Sequence, residues 1–316
     1  MTVYEYGKNE RPCGKRVVAL GFFDGVHLGH RAIISTAISR AKELGVPSAV
    51  FTFRSESPTA KQSAARLYST AAKLELIEEC GIDEVIIADF EDVRGTSAED
   101  FVTKLLIGEL GCISAIAGRD FRFGHYAAGD VALLRSLIEP LGGECIIAED
   151  VILHEDKIST TEIKGLMAKG DIRGANEMLG APYFLEATVE HGRGVGRTLG
   201  FPTVNCTLKE QQGLLKHGVY ASKIVTRGGT YPALTNVGVC PTFDARPEHA
   251  ESFILDFDGD IYGECVRIIL TSYLRPEIKF DTPEMLREQI TSDIKKVKED
   301  LKNGWQLDKA YSNRKH

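Results

Sequence analysis

His27 and His30 stand at the end of the run Gly21-Phe22-Phe23-Asp24-Gly25-Val26-His27-Leu28-Gly29-His30, in the spacing His-x-Gly-His. Attack on an α-phosphate spreads negative charge over its oxygens, and imidazole donors can receive that charge without acting as nucleophiles. Gly29 between them offers no side chain to hold a phosphate away. Two further runs carry chemistry of the same kind: Gly118-Arg119-Asp120-Phe121-Arg122-Phe123-Gly124 and Ile158-Ser159-Thr160-Thr161-Glu162-Ile163-Lys164. Hydroxyls, backbone N–H groups and a lysine at a helix start suit β- and γ-phosphates. Gly21, Phe23, Asp24, Gly29, Ser159, Thr160, Thr161 and Lys164 are therefore read as an ATP-binding set.

A fourth run, Gly192-Arg193-Gly194-Val195-Gly196-Arg197, is neither a Walker loop nor a dinucleotide fingerprint. It lacks the Gly-Lys-Ser/Thr ending and opens no helix in a strand–helix–strand unit. Gly14-Lys15 fails as a Walker ending too, because Arg16 follows where a hydroxyl is needed. What remains is a glycine-rich loop that could wrap phosphates with backbone N–H groups and its arginines. Thr203 and Asn205 close by offer oxygen ligands suited to magnesium.

These residues need elements to hold them. In the first half, short apolar runs at Val17–Leu20, Ser48–Phe53, Glu84–Ala88, Ile113–Ala117 and Cys145–Ala148 alternate with helical patterns around Arg31–Leu44, Ala71–Cys80, Ala98–Leu110 and Val131–Ile138. Uniformly apolar strands separated by helices predict a parallel sheet covered on both faces. Right-handed crossovers would then gather the strand C-termini, and the Gly21–His30 loop, along one edge. Thr160–Leu179 reads as one helix stopped by Gly180-Ala181-Pro182. The boundary is placed there, giving residues 1–181 and 182–316.

Beyond it the period falls to two, at Phe184–Glu190, Val219–Val225, Tyr231–Val237, Ser252–Phe257 and Tyr262–Leu270, with glycine turns at Gly228-Gly229 and Gly259. That pattern predicts a small antiparallel barrel. A terminal helix follows, started by Asp281 or Thr282 with Pro283, and striped by Leu286, Ile290, Ile294, Val297 and Leu301.

The chain has 316 residues, enough for two cores, and a formal net charge of -7 argues against a broad basic face for nucleic acid. The polar N-terminus lacks the apolar run of a signal peptide, and no segment has the apolar length of a membrane span. The 7 cysteines are scattered, form no Cys-x-x-Cys pair, and read as small buried hydrophobes of a cytoplasmic protein. The expected partners are small molecules, without nucleic acid or membrane; nothing excludes a homo-oligomer.

The motifs GFFDGVHLGH, GRDFRFG and ISTTEIK resemble the adenylyltransferase half of the bifunctional bacterial riboflavin kinase/FAD synthetases. The run from Gly192 through Thr198-Leu199-Gly200-Phe201-Pro202-Thr203-Val204-Asn205 resembles that family's flavokinase signature. Gly218-Val219-Tyr220-Ala221, Asn236-Val237-Gly238, Pro241-Thr242-Phe243, Asp256–Gly263 and Leu274-Arg275 follow in the family's order. The resemblance implies an N-terminal Rossmann-like nucleotidyltransferase domain and a C-terminal flavokinase barrel. The implied enzyme phosphorylates riboflavin to FMN and adenylylates FMN to FAD with release of pyrophosphate, using ATP and Mg2+. It implies Glu251 as the base toward the ribityl hydroxyl, and His27 and His30 as the catalytic pair of the other half. Mg-ATP falls on Thr203 and Asn205, ATP also on Gly192, Arg193, Gly194, Gly196 and Arg197, and flavin on Asp120, Arg122 and Arg275.

Departures from the family pattern fall mainly in the first half. Arg54-Ser55-Glu56-Ser57 stands where the family commonly has Asp-Pro-His-Pro, and Lys164 replaces an arginine beside an added Glu162. Cys240 and Phe253 replace a commoner arginine and histidine in the second half. These departures define an alternative expectation, a riboflavin kinase with a weak or inactive N-terminal half.

Overall fold

The structure, a computed structural model, describes residues 1–8, 12–56, 65–190, 201, 203–208, 214–238 and 248–302. It divides into two compact units, Met1–Thr160 and Thr161–His316. Five of the expected ATP-binding residues, Gly192, Arg193, Gly194, Gly196 and Arg197, lie outside the described residues, as do Ser57, Cys240 and Pro241–Phe243.

The first unit is built on a six-stranded parallel sheet. Its strands are β1 (Thr2–Glu5), β2 (Arg16–Leu20), β3 (Ser48–Phe53), β4 (Glu84–Ala88), β5 (Cys112–Gly118) and β6 (Glu144–Ala148), in the spatial order β1-β4-β3-β2-β5-β6. Arg16 to Leu20 are all buried, which is why these strands read as apolar runs rather than alternations. The helices between them are α1 (Leu28–Leu44), α2 (Thr70–Glu78), α3 (Phe90–Val93), α4 (Ala98–Asp100) and α5 (Val131–Ile138). Beyond α4 the chain continues through Phe101–Glu109 as a π-helix. Chain order reverses between β2 and β5, so a crevice opens beyond their C-terminal ends. Both the Gly21–His30 and Gly118–Gly124 loops leave from those two ends.

Arg16, which denies Gly14-Lys15 a Walker ending, is a core residue. It is fully buried, donates from Nε to the Leu110 carbonyl at 2.9 Å and pairs with Glu84 at 3.1 Å. β1 was absent from the sequence expectation: only half-buried, it pairs with β4 alone at the sheet edge. A short ribbon, β7 (Ile152–Leu153) with β8 (Asp156–Lys157), precedes Ser159.

The helix expected over Thr160–Leu179 is two helices, α6 (Thr160–Lys169) and α7 (Ile172–Leu179). Gly170 adopts φ +87, and Asp171 caps the second helix by accepting from the Gly174 N–H at 3.0 Å. A residue with a Cβ would be strained at Gly170, and an aspartate so placed starts a new helix rather than continuing an old one.

The second unit closes a barrel of β9 (Phe184–Glu190), β10 (Thr203–Thr207), β11 (Gly218–Thr226), β12 (Gly229–Gly238), β13 (His249–Ile254) and β14 (Cys265–Arg275), in the order β10-β13-β12-β11-β14-β9. All its pairs are antiparallel. α8 (Pro283–Lys302) ends the described chain; Thr282 Oγ1 accepts from the Met285 N–H at 3.3 Å, which makes Thr282 the cap. Val297 is fully buried, and Ile290 and Ile294 pack with it against Val219, Ala221 and Leu234. Each such aliphatic burial contributes about 1.5–3 kcal/mol, so the stripe fastens the helix to the barrel.

None of the six described cysteines forms a disulfide; Cys112, Cys145 and Cys206 are buried, but Cys13 and Cys265 are exposed, against the expectation of burial. Among the described residues no helix is long and apolar enough to cross a membrane.

Candidate active sites

In the first unit the turn after β2 is backbone-strained. Phe23 (φ 53) and Val26 (φ 43) are left-handed without being glycine, and Gly25 sits at φ 93. Each such non-glycine residue costs on the order of 1 kcal/mol and persists only when its surroundings over-determine it. The strain delivers His27 to the N-cap of α1, where its Nδ1 accepts from the His30 N–H at 3.3 Å. With Nδ1 accepting, the neutral ring carries its proton on Nε2 and presents it as a donor.

The two imidazoles stack, with centroids 3.6 Å apart and planes at 18°. Burial lowers the His27 pKa to about 4 against the pull of Asp24 and Asp120, and burial also sets His30 well below the ordinary value, aided by His27 and Lys73. Both rings are therefore neutral at pH 7. His30 Nδ1 is enclosed and has no hydrogen-bond partner among the described residues.

Gly29 also makes room for the His27 ring. A Cβ there would lie 3.2 Å from the His27 ring, so any side chain would displace the imidazole. Gly21 is bound similarly, since its Cβ would lie 3.0 Å from the Phe23 ring. Phe23 itself is fully buried and packs edge-on against His30 at 5.2 Å. Asp24 is also buried: its Oδ1 accepts from the Leu67 N–H at 2.9 Å, and its carbonyl accepts from Thr160 Oγ1 at 3.0 Å. Phe23, Asp24 and Thr160 thus fasten the turn as framework. The first turn of α1 carries no acidic residue, leaving its positive end to an anion. Ser159 is half-buried beside Thr160, while Thr161 and Lys164 continue on α6 in the second unit.

Asp120 and Arg122 stand at the end of β5, the neighbour of β2. Both are exposed and loosely paired, Asp120 with Lys157 at 3.5 Å and Arg122 with Asp130 at 3.4 Å. The atypical segment after β3 has local work. Arg54 pairs with Glu5 and Asp89, and Glu56 accepts from the Thr70 N–H at the start of α2. Sequence reasoning missed Lys73 on α2, which is fully buried at the ends of β2 and β3. Its one signal was a lysine in a buried helical register.

In the second unit, register assembles the site. Asn205 of β10 and Asn236 of β12 both oppose Glu251 of β13, so the three lie in a row on one barrel face. Thr203, two residues before Asn205 and on the same face, donates from Oγ1 to Glu251 Oε1 at 2.6 Å. With its proton given to the carboxylate, the Thr203 oxygen keeps lone pairs for a cation. The Thr203 and Asn205 oxygens are hard donors of the kind magnesium takes in twos beside phosphates, so this donor set fits that ion. Among the described residues no group of three His, Cys, Asp or Glu side chains forms a metal cage. Asn236 Nδ2 donates to Glu277 Oε1 at 2.9 Å. Arg275 is held by Asp293 of α8 at 2.7 Å rather than by Glu277, and Phe253 packs edge-on against Phe201 at 5.3 Å.

Comparison with known proteins accounts for both halves. Residues 10–162 match the FAD synthetase family and residues 179–301 the riboflavin kinase family. A bifunctional riboflavin kinase/FMN adenylyltransferase of Bacillus subtilis is 35% identical over 287 residues, covering 88% of this chain and 90% of the relative. The chain belongs to the bifunctional riboflavin kinase/FMN adenylyltransferase family. The family member of Haemophilus influenzae is 34% identical over 289 residues, covering 89% of this chain and 92% of that protein. Its Escherichia coli K12 counterpart is 31% identical over 282 residues, with 88% and 90% covered. A crystal structure titled macrolide-efflux protein, from Streptococcus pneumoniae, superposes with a TM-score of 0.84 at 27% identity, covering 94% of this family member and 99% of that chain.

Proposed function

We propose that this chain converts riboflavin and ATP to FMN and ADP, and FMN and ATP to FAD and pyrophosphate, with the kinase in residues 182–316 and the adenylyltransferase in residues 1–181. The observation that carries the reading is the match of both halves, in one chain, to relatives that bear both activities in their names.

In the kinase half the nucleophile is a primary alcohol, whose proton must leave as the γ-phosphoryl group is transferred. Glu251 takes that proton. Thr203 occupies Oε1 and orients the carboxylate, so the proton passes to Oε2. Thr203 and Asn205 would hold magnesium, which supplies charge neutralisation on the polyphosphate when bound. Arg275, fixed by Asp293, contacts the flavin. Gly192, Arg193, Gly194, Gly196 and Arg197 wrap ATP, a role that rests on the resemblance alone.

In the adenylyltransferase half the nucleophile is the FMN phosphate, already an anion, and needs no base. Its attack on the α-phosphorus of ATP expels pyrophosphate and concentrates negative charge. His27 Nε2–H, His30 and the N-terminus of α1 receive that charge, as neutral donors and dipole. Ser159 serves the outer phosphates, a role that the resemblance alone extends to Thr161 and Lys164, while Thr160 fastens the turn and Asp120 and Arg122 serve the flavin. The alternative of a kinase with a silent N-terminal half is not favoured, since both halves match bifunctional relatives and Arg54 and Glu56 form pairs with Glu5, Asp89 and Thr70. The substrates suit an enzyme of the cytoplasm, where ATP is made and spent.

Incubation with riboflavin, ATP and magnesium, followed by chromatography, tests the reading. FMN should appear first and FAD after it, with one pyrophosphate per FAD. Accumulation of FMN with no FAD would remove the second activity from this chain.

A further inference from the structure

Lys73 sits on α2 with no exposed surface. Its ammonium donates to the carbonyl of Phe53, the last residue of β3. It also reaches the carbonyl of Phe22 at 3.4 Å, where Thr52 Oγ1 donates at 2.8 Å. Nζ lies 4.7 Å from the centre of the Phe22 ring. The charged groups that face it are Asp24 and Glu56, which favour the cation, and Arg66, which opposes it; burial outweighs them and lowers the ammonium to about 8. Taking a cation out of water is expensive, and an apolar side chain of similar volume would fill the space at less cost. Packing alone therefore does not account for a lysine here.

Its location does. Phe22 immediately precedes the left-handed Phe23, and the Phe23 ring packs edge-on against His30 at 5.2 Å. A strained turn of this kind has to be over-determined by its surroundings. We propose that Lys73 is a positioning residue for adenylyl transfer: its ammonium ties together the ends of β2 and β3 and so sets the turn that carries His27 and His30. The same cation, with His27, opposes protonation of His30. The inference rests on the adenylyltransferase reading of the first unit.

The test uses the full chain with Lys73→Met, which keeps volume but loses donor and charge, and Lys73→Gln, which keeps donors without charge. Four quantities are measured: riboflavin phosphorylation, kcat and KM for ATP in FAD formation across pH, melting temperature, and the NMR titration of the His30 ring. Lys73→Met should keep phosphorylation within twofold while kcat for FAD falls tenfold or more and KM for ATP stays within threefold. Removing a neighbouring cation eases protonation of His30, so the acid limb of the rate profile and the ring titration should both move to higher pH. Lys73→Gln should recover part of kcat but not the acid limb.

Unchanged kcat and acid limb in Lys73→Met would overturn the proposal, as would a loss that simply follows the melting temperature with kcat and KM failing together. If Lys73→Met does not fold, wild-type kcat and an unmoved acid limb in Lys73→Gln overturn it. Absence of FAD from the wild-type protein would instead defeat the adenylyltransferase reading. The ring titration needs no turnover, and an unmoved His30 would still decide against Lys73.

Discussion

The two candidate sites solve phosphate chemistry with opposite materials. The site at β2 and α1 is a buried turn with strained backbone and two neutral, stacked imidazoles, and its own carboxylate, Asp24, is spent on the Leu67 N–H. The site on the barrel is a strand face whose register lines up half-buried Asn205 and Asn236 with exposed Glu251, itself held by Thr203. The difference follows the nucleophile. A phosphate monoester arrives ionised and needs only charge-accepting donors, whereas an alcohol needs somewhere for its proton to go. A site whose buried carboxylate is committed to the backbone and a site organised around a carboxylate that can take a proton are thus what adenylyl and phosphoryl transfer call for.

The comparison breaks most visibly at the base. Glu251→Ala should lower FMN formation about 1000-fold, within the range a general base contributes, and leave FAD formation from supplied FMN within twofold. Equal loss of both, in steady-state assays of the two half-reactions, would erase the distinction between the sites.

Acid separates them next. Because the folded-state His27 pKa is depressed from 6.5 to about 4, the unfolded chain binds a proton in that window that the folded chain refuses. Stability contributed by His27 is present above pH 6.5 and is lost as pH falls toward 4, by about 3 kcal/mol. The carboxylates with lowered values, such as Asp83 and Asp130, lose their contributions at lower pH, below their ordinary value of 3.8. Urea unfolding at a series of pH values should show this decline in the wild type and a flatter curve in His27→Gln; parallel curves would refute a buried neutral His27.

A smaller effect probes geometry alone. Gly29→Ala puts a methyl group 3.2 Å from the His27 ring and should lower kcat for FAD about tenfold, since a small misplacement of a catalytic group is costly. Riboflavin phosphorylation in the same protein should not change. Smallest of all, Arg54→Ala should leave FAD formation within twofold and stability within about 0.5 kcal/mol, because its ion pairs with Glu5 and Asp89 are partly exposed. A tenfold loss of FAD formation would return Arg54 to the active site.

Much of this was legible in the chain itself, for physical reasons that also mark where legibility ended. Ser48–Phe53 and Glu84–Ala88 announce themselves because both faces of a central parallel strand are buried. Thr2–Glu5 does not, since an edge strand that is half-exposed carries polar residues. Thr203–Thr207 was read for its oxygen ligands and not as a strand, although its pairing with β13 is what brings Thr203 to Glu251. The break between α6 and α7 was hidden because Ile163, Met167, Ala175 and Met178 keep a helical period across it. Of the site, the residue types were visible and their state was not. Nothing in His-x-Gly-His says that the rings stack, that both are neutral, or that Gly29 is small for the sake of His27. Lys73 escaped notice because a lysine on a helix is ordinarily solvated, and only the strand ends above it show otherwise.

The division of labour has one most direct test. Glu251→Ala protein and His30→Ala protein are each given riboflavin, ATP and magnesium, alone and then mixed in equal amounts. The account predicts no FMN or FAD from the first alone, FMN without FAD from the second alone, and FAD from the mixture, as FMN made by one protein is adenylylated by the other. A mixture that makes no FAD, or a His30→Ala protein that makes FAD at the wild-type rate, would contradict it.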